Sequence, residues 1–207
     1  PRYTIINALP YDRHNTAMAD FDMCPECAKA YQNPLDRRYH AQPVSCPVCG
    51  PRLSLKTPQG EYIILNTSNF STPELSTDLA VLTAAADRLH QGQILAIKGL
   101  GGFHLICDAR NDNAVNTLRL RKQRQAKPLA VMMADIQMAQ HYVTGTDAEW
   151  QVLSSQERPI VLMSSRAEHD LSLAVAPNLN KLGVFLPYTP LHHLLLGLFK
   201  GPLVATS

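Results

Sequence analysis

Residues 94–107 read ILAIKGLGGFHLIC, and residues 114–133 read AVNTLRLRKQRQAKPLAVMM. The first stretch holds two apolar runs, 94–97 and 103–107, of the length of buried strands and too short for helices. Gly99, Gly101 and Gly102 separate them. The second stretch reads as a basic helix over 114–124. It turns at Lys127-Pro128, because the residue before a proline is driven out of helical geometry. It then enters another strand, 129–133. Short strands and helices in alternation predict an α/β domain.

The same texture extends outward. Residues 78–90 place Leu79, Leu82, Ala86 and Leu89 at helical spacing. Residues 135–143 read as a helix and 160–163 as a strand behind a proline. Residues 190–199 read as a helix with Pro190 near its start, and 203–205 as a last strand. The chain therefore divides into a metal-stapled stretch (1–57), a linker rich in Pro, Ser, Thr and Asn (58–77), and the α/β domain (78–207).

Apolar residues make up 45% of the 207 and charged residues 17%, the composition of a globular chain and not of a disordered one. The formal charge of +2 is too weak to indicate nucleic acid by itself, so anion binding must come from local clustering. No apolar run reaches the roughly 18 residues of a membrane span. No basic segment followed by an apolar one opens the chain, so no signal peptide is visible and a cytoplasmic location is expected. The first residue is Pro1 and reads as the middle of a module, which predicts a piece of something longer.

Cys24-x2-Cys27 and Cys46-x2-Cys49, with eighteen residues between the pairs, have the spacing of a four-thiolate zinc site. Four cysteine ligands leave no open position, so such a zinc is structural. Two disulfides are the alternative; the absence of a secretion signal favours metal. His40, between the pairs, could replace a thiolate or stand behind one, although such a histidine is more often a packing residue. Cys107 reads as a buried thiol and not a nucleophile, and His14 as an ordinary surface residue. Gly50-Pro51-Arg52-Leu53-Ser54-Leu55 after the last pair echoes Pro1-Arg2-Tyr3-Thr4-Ile5, which predicts a second, matching cysteine pair upstream.

Two segments suggest anion chemistry. Glycines in Lys98–His104 allow close backbone approach, where amide N–H groups cradle phosphate; a tight strand connection is the plainer reading. Arg119, Arg121, Lys122, Arg124 and Lys127 put five basic residues in nine positions. On one continuous helix Arg121 and Arg124 would share a face, as would Arg119 and Lys122. That run is either a polyphosphate site or a solvated basic face. Thr206-Ser207 stands just after a strand, where α/β sheets bind small molecules.

Asp36-Arg-Arg-Tyr-His-Ala-Gln-Pro43, followed by Cys46-Pro-Val-Cys-Gly-Pro51, resembles the second zinc finger of the HypF family. Residues 98–109, Lys122-Gln-Arg124 with Lys127-Pro-Leu129, Arg158-Pro-Ile-Val161, residues 183–187 with Pro190, and residues 203–207 resemble the YrdC-like domain that follows the fingers. The resemblance implies a YrdC-like twisted open mixed sheet with flanking helices, behind a small zinc-finger module. It implies a carbamoyltransferase in which carbamate, released from carbamoyl phosphate by another domain, is joined to AMP using ATP and Mg2+. The carbamoyl group then passes to a HypE-type acceptor protein, for the cyanide ligand of NiFe hydrogenases. It implies Lys122 and Arg124 as catalytic residues. It implies Lys98, His104, Lys127, Arg158, Thr206 and Ser207 as residues binding the nucleotide and its adduct, and the four cysteines as zinc ligands.

Two departures matter. Stand-alone relatives that make threonylcarbamoyl adenylate carry Pro-Thr-x-Thr-x-Tyr-Gly-Leu where residues 98–105 read Lys-Gly-Leu-Gly-Gly-Phe-His-Leu, which argues against threonine as substrate. The family's last strand runs on to a Ser or Gly followed by Asn, so part of the nucleotide site is expected beyond Ser207. An RNA-binding module is the remaining alternative. Aromatics are 6% of the chain and none interleaves the basic run, whereas RNA readers stack bases on aromatics.

Overall fold

The computed structural model describes residues 5–65, 75–99, 102–124 and 126–207. Two compact units, Pro1–Val81 and Leu82–Ser207, make up the chain. The echo at residues 1–4, Leu100 and Gly101 of the glycine segment, and residues 66–74 of the stretch read as a linker lie outside the described residues.

The first unit has little apolar core, and polar ties do much of its work. A bridge between Ile6 and Thr16 encloses a 3-10 turn, Arg13–Asn15. Arg13 donates to the carbonyls of Gln42, Val44 and Phe21, each at 2.8 Å, and so joins distant parts of the loop. Helix α1 (Pro25–Gln32) was not expected from a stretch without helical periodicity. Its start is nonetheless locally encoded: Cys24 is extended at the cap and Pro25 sits at the first helical position, where its missing N–H costs nothing. Strands β1 (Ser54–Lys56) and β2 (Tyr62–Leu65) form an antiparallel hairpin, with Gly60 at φ +89° in the turn. The stretch read as a linker thus contains a strand. Helix α2 (Leu75–His90) follows.

In the second unit, β3 (Leu95–Lys98), β4 (Phe103–Asp108), β5 (Ala130–Met132), β6 (Val143–Thr144), β7 (Val161–Ser165), β8 (Lys181–Phe185) and β9 (Leu203–Thr206) form one sheet in the order β3-β4-β9-β5-β8-β7-β6. Only β5 and β8 pair in parallel, so the sheet is mixed, as expected. Helices α3 (Asp112–Arg121), α4 (Ile136–Tyr142), α5 (Asp147–Ser154) and α6 (Pro190–Phe199) complete the unit. Strand β8 and helix α5 were not among the expected elements. Helix α5 carries a readable start: Thr146 caps Glu149 N–H while the Glu149 carboxylate accepts from Thr146 N–H at 2.7 Å.

The two faces of this sheet differ. Side chains alternate along a strand, and Cys107, Val131, Val184 and Val204 point into one core. That core also holds Val115 and Leu118 of α3, Ala139 of α4, Leu153 of α5, and Val175. Cys107 is fully buried, and burial next to Asp108 pushes its thiol up to about 12, in keeping with an inert core residue. On the opposite face the central strands carry Ala205, Ala130 and Gly183. A Cβ at Gly183 would already stand 3.1 Å from the Ile160 side chain. Small residues in the middle of the sheet leave a hollow on this face.

Candidate functional site

In the first unit, the four cysteine sulfurs lie within 4.8 Å of one another. Cys24 to Cys46 is 3.7 Å and Cys46 to Cys49 is 3.8 Å. Zinc–sulfur bonds of ~2.3 Å in a tetrahedron place sulfurs about 3.8 Å apart, so the spacing fits that ion. The first pair is built on α1, with Cys24 at its cap and Cys27 one turn in. The second is a turn closed by Gly50 N–H on the Cys46 carbonyl at 2.8 Å, with Val48 N–H on the Cys46 sulfur at 3.3 Å. Burial pushes the Cys27 thiol well up, helped by its sulfur neighbours. At Cys49 burial acts the same way, but the amides of Cys24 and Cys46 outweigh it and draw the thiol down to about 7. His40 takes no place in the cluster; its ring packs between Tyr31 and Tyr39, at 4.9 and 4.5 Å.

In the second unit, the hollow is a cavity of about 340 Å³, lined by His104, Arg124, Arg158, Tyr188, Thr206 and Ser207 over a floor of Ala130, Ile160, Phe185 and Ala205. Arg124 reaches it by a route the sequence reading missed. Helix α3 does not run to Arg124; it ends at Arg121. Gln123 adopts φ +50°, its N–H bonds the Leu120 carbonyl at 3.1 Å, and Arg124 N–H bonds the Arg119 carbonyl at 3.0 Å. This left-handed stop, made here without glycine, throws Arg124 off the helix. The shared faces expected for Arg121 with Arg124 and Arg119 with Lys122 therefore do not form, and Lys127-Pro128 does not end the helix.

Arg119 is no part of a solvated basic face either. It is 7% exposed and donates to the carbonyls of Ala174 (2.5 Å), Arg124 (2.9 Å), Lys127 (3.1 Å) and Val175 (3.1 Å). It pins the segment that presents Arg124. Burial, with Arg124 close by, lowers its pKa.

Arg124 donates to Thr206 Oγ1 at 3.2 Å and to the Pro128 carbonyl at 2.6 Å, while its Nε is buried without a partner. Lys122 caps α3 and its Nζ donates to the Ser207 carbonyl. Arg158, at φ +50°, donates to the Ser154 carbonyl at 3.2 Å and lines the cavity. The structure thus brings together His104, Arg124, Arg158, Thr206 and Ser207, with Lys122 bonded at the edge. Lys98 is not among the lining residues; its Nζ lies 5.0 Å from the Phe103 ring. Lys127 is exposed and contributes its carbonyl to Arg119.

The sequence reading overlooked Tyr188 and His192. Tyr188 stands between Pro187 and the cap of α6, and its hydroxyl is 3.2 Å from His104 Nε2. His192 sits in the first turn of α6, where Thr189 Oγ1 accepts its N–H, and its ring stacks on His104 with centroids 5.8 Å apart. It is 1% exposed, its Nδ1 has no partner, and burial, with His104 and His193 adding to it, brings its pKa down to about 4. The two prolines around Tyr188-Thr189 were the available signal.

Comparison with known proteins agrees with this geometry. Residues 87–207 match the family of Sua5, YciO and YrdC proteins, described as telomere recombination, and residues 23–56 match the HypF finger. A carbamoyltransferase HypF from Rhodobacter capsulatus is 49% identical over the whole chain, which spans 26% of that relative. A threonylcarbamoyl-AMP synthase from Serratia proteamaculans is 30% identical over 64% of this chain and 72% of its own length. A crystal structure of full-length HypF in a phosphate- and nucleotide-bound form superposes with a TM-score of 0.79 at 43% identity, over all of this chain and 25% of that one. The chain thus spans about a quarter of the length of these HypF relatives. It belongs to the Sua5–YciO–YrdC family, in the HypF branch that sets a cysteine finger ahead of the sheet domain.

Proposed function

We propose that the second unit binds ATP with Mg2+ and joins carbamate to AMP, and that Cys24, Cys27, Cys46 and Cys49 hold a structural zinc. The observation that carries the reading is the Arg124 guanidinium. It is held at the cavity by Thr206 and Pro128, keeps a buried Nε without a partner, and stands near a second buried guanidinium, Arg119. A guanidinium held in this way presents fixed positive charge to an anion in the cavity that it lines.

A carbamate oxygen attacks the α-phosphorus of ATP, the bond from that phosphorus to the bridging oxygen breaks, and pyrophosphate leaves with its electron pair. The products are carbamoyl adenylate and pyrophosphate. Mg2+ bound to the triphosphate would neutralise part of its charge. Arg124 and Lys122 act on the phosphoryl group in flight, where fixed cations lower the barrier without reorganising. Arg158, Thr206 and Ser207 hold the nucleotide, while Lys98 and Lys127, which are not among the lining residues, add positive charge only at longer range. The site has no nucleophile with a paired base among these residues, so positioning and electrostatics carry the step. In the longer protein the carbamate derives from carbamoyl phosphate, and the product supplies a HypE-type acceptor in the making of the hydrogenase cyanide ligand, in the cytoplasm.

The test is pyrophosphate release from ATP and Mg2+ with ammonium carbamate as donor. Carbamate-dependent pyrophosphate and an AMP adduct are expected. A folded chain that binds RNA with steep salt dependence and releases no pyrophosphate would replace this reading with the nucleic-acid one.

A further inference from the structure

We propose that His104 sets the acyl specificity of the cavity, closing it to carbamates that bear an amino-acid substituent on nitrogen. The inference rests on the adenylating reading above. It starts from how firmly the ring is held. His104 lies on β4, on the same face as Ala205 and Ala130, and its imidazole forms one wall of the cavity.

Three neighbours fix that ring. A Cβ at Gly99 would stand 3.6 Å from its Cε1 and Nε2, so the Gly99 segment bounds the ring on one side at about the width of a methyl group. The Tyr188 hydroxyl holds its edge at 3.2 Å. The stacked ring of His192, 1% exposed, stands behind it. His192 is in turn held by the first turn of α6, which Thr189 and Pro190 start, and its ring is met edge-on by Tyr188 at 4.8 Å. A side chain backed in this way cannot swing aside without disturbing a helix start and a buried ring, so it sets a hard limit on ligand size. The floor opposite is already small at Ala130, Ala205 and Gly183, so little depth remains to be gained from below. Bare carbamate, a planar group of four heavy atoms, suits a site bounded like this. A carbamate extended by an amino acid must displace the imidazole. In this respect the wall opposes the chemistry named for the Serratia relative.

The test compares the native chain with His104→Gly, His104→Ala and His104→Gln, each first shown to keep its melting temperature within a few degrees; loss of binding of a non-hydrolysable ATP analogue by H104G and H104A would place His104 on the nucleotide and overturn the inference. L-Threonine binding is measured by calorimetry in the presence of that analogue and bicarbonate. Pyrophosphate release is measured with carbamate and, separately, with L-threonine plus bicarbonate. The native chain and H104Q are expected to ignore threonine. H104G and, more weakly, H104A are expected to gain threonine binding, with the threonine-to-carbamate ratio of pyrophosphate release rising roughly tenfold or more, the scale of pocket-size discrimination. Folded, nucleotide-binding H104G and H104A that remain blind to threonine overturn the inference, as does a native chain that already takes threonine. Failure of the adenylating reading shows separately, as a native chain that binds the analogue but releases no pyrophosphate with carbamate.

Discussion

The two units hold themselves together by different means. The first converges on four sulfurs, and the buried residues of its cluster are three of those cysteines and Val44. The second packs eighteen buried residues, from one face of its sheet and the elements against it, into one core. In one, a cluster of four sulfurs stands where a core is too small to form; in the other, burial suffices and a hollow remains on part of one sheet face, where Ile106, Met132 and Leu203 are fully buried. The difference teaches where each unit is vulnerable.

The largest effect expected is metal removal. Structural zinc contributes on the order of 10 kcal/mol or more in small metal-stapled folds. Chelation, or Cys27→Ser, is predicted to abolish amide-exchange protection in α1 and the second cysteine turn while the seven-stranded sheet stays protected. Loss of protection in both units alike would break the comparison. Next comes the core. Leu153→Ala in α5, fully buried in the core, is expected to lower the unfolding free energy of the second unit by about 3 kcal/mol. Zinc content, read by a colorimetric thiol–metal assay, should not change.

A smaller effect comes from pH. His192 is neutral when folded because burial holds it down to about 4, against 6.5 in an ordinary histidine. The unfolded chain binds the proton first as pH falls. The stability is therefore whole above about pH 6.5 and is lost on the way down to 4, by roughly 2–3 kcal/mol. Denaturant melts of the native chain and His192→Leu across that window should diverge, with the variant showing the shallower acid slope. The smallest effect is at the α5 cap: Thr146→Ala should cost about 1 kcal/mol, seen as a lower denaturation midpoint at constant slope.

Much of this architecture was legible in the residues. Strands 94–97 and 103–107 announced themselves by length and glycine boundaries, and helix 190–199 by Pro190, because these signals are local. The cysteine spacing predicted the sulfur cluster for the same reason. What stayed hidden depended on tertiary geometry. The basic run looked like one helical face because no glycine marks the stop at Gln123; the left-handed turn there costs a non-glycine residue energy that the surrounding bonds repay. Arg119 read only as one member of the basic run, because its partners, the Ala174 and Val175 carbonyls, lie more than fifty positions away in sequence. Strand β8 was missed, although its Gly183, with Ala130 and Ala205, is what makes the hollow. Tyr188 and His192 gain their meaning only from His104, on a strand far from them in sequence.

The central claim is that Arg124 turns this hollow into an anion site. Calorimetric titration of the chain with ATP and Mg2+, beside Arg124→Ala, tests it most directly. The account predicts one saturable site in the native chain, and binding weaker by about tenfold or more in the variant, the value of one charge-assisted hydrogen bond. Equal affinity in the two proteins, or no binding by a native chain with its sheet folded and its zinc in place, would contradict it.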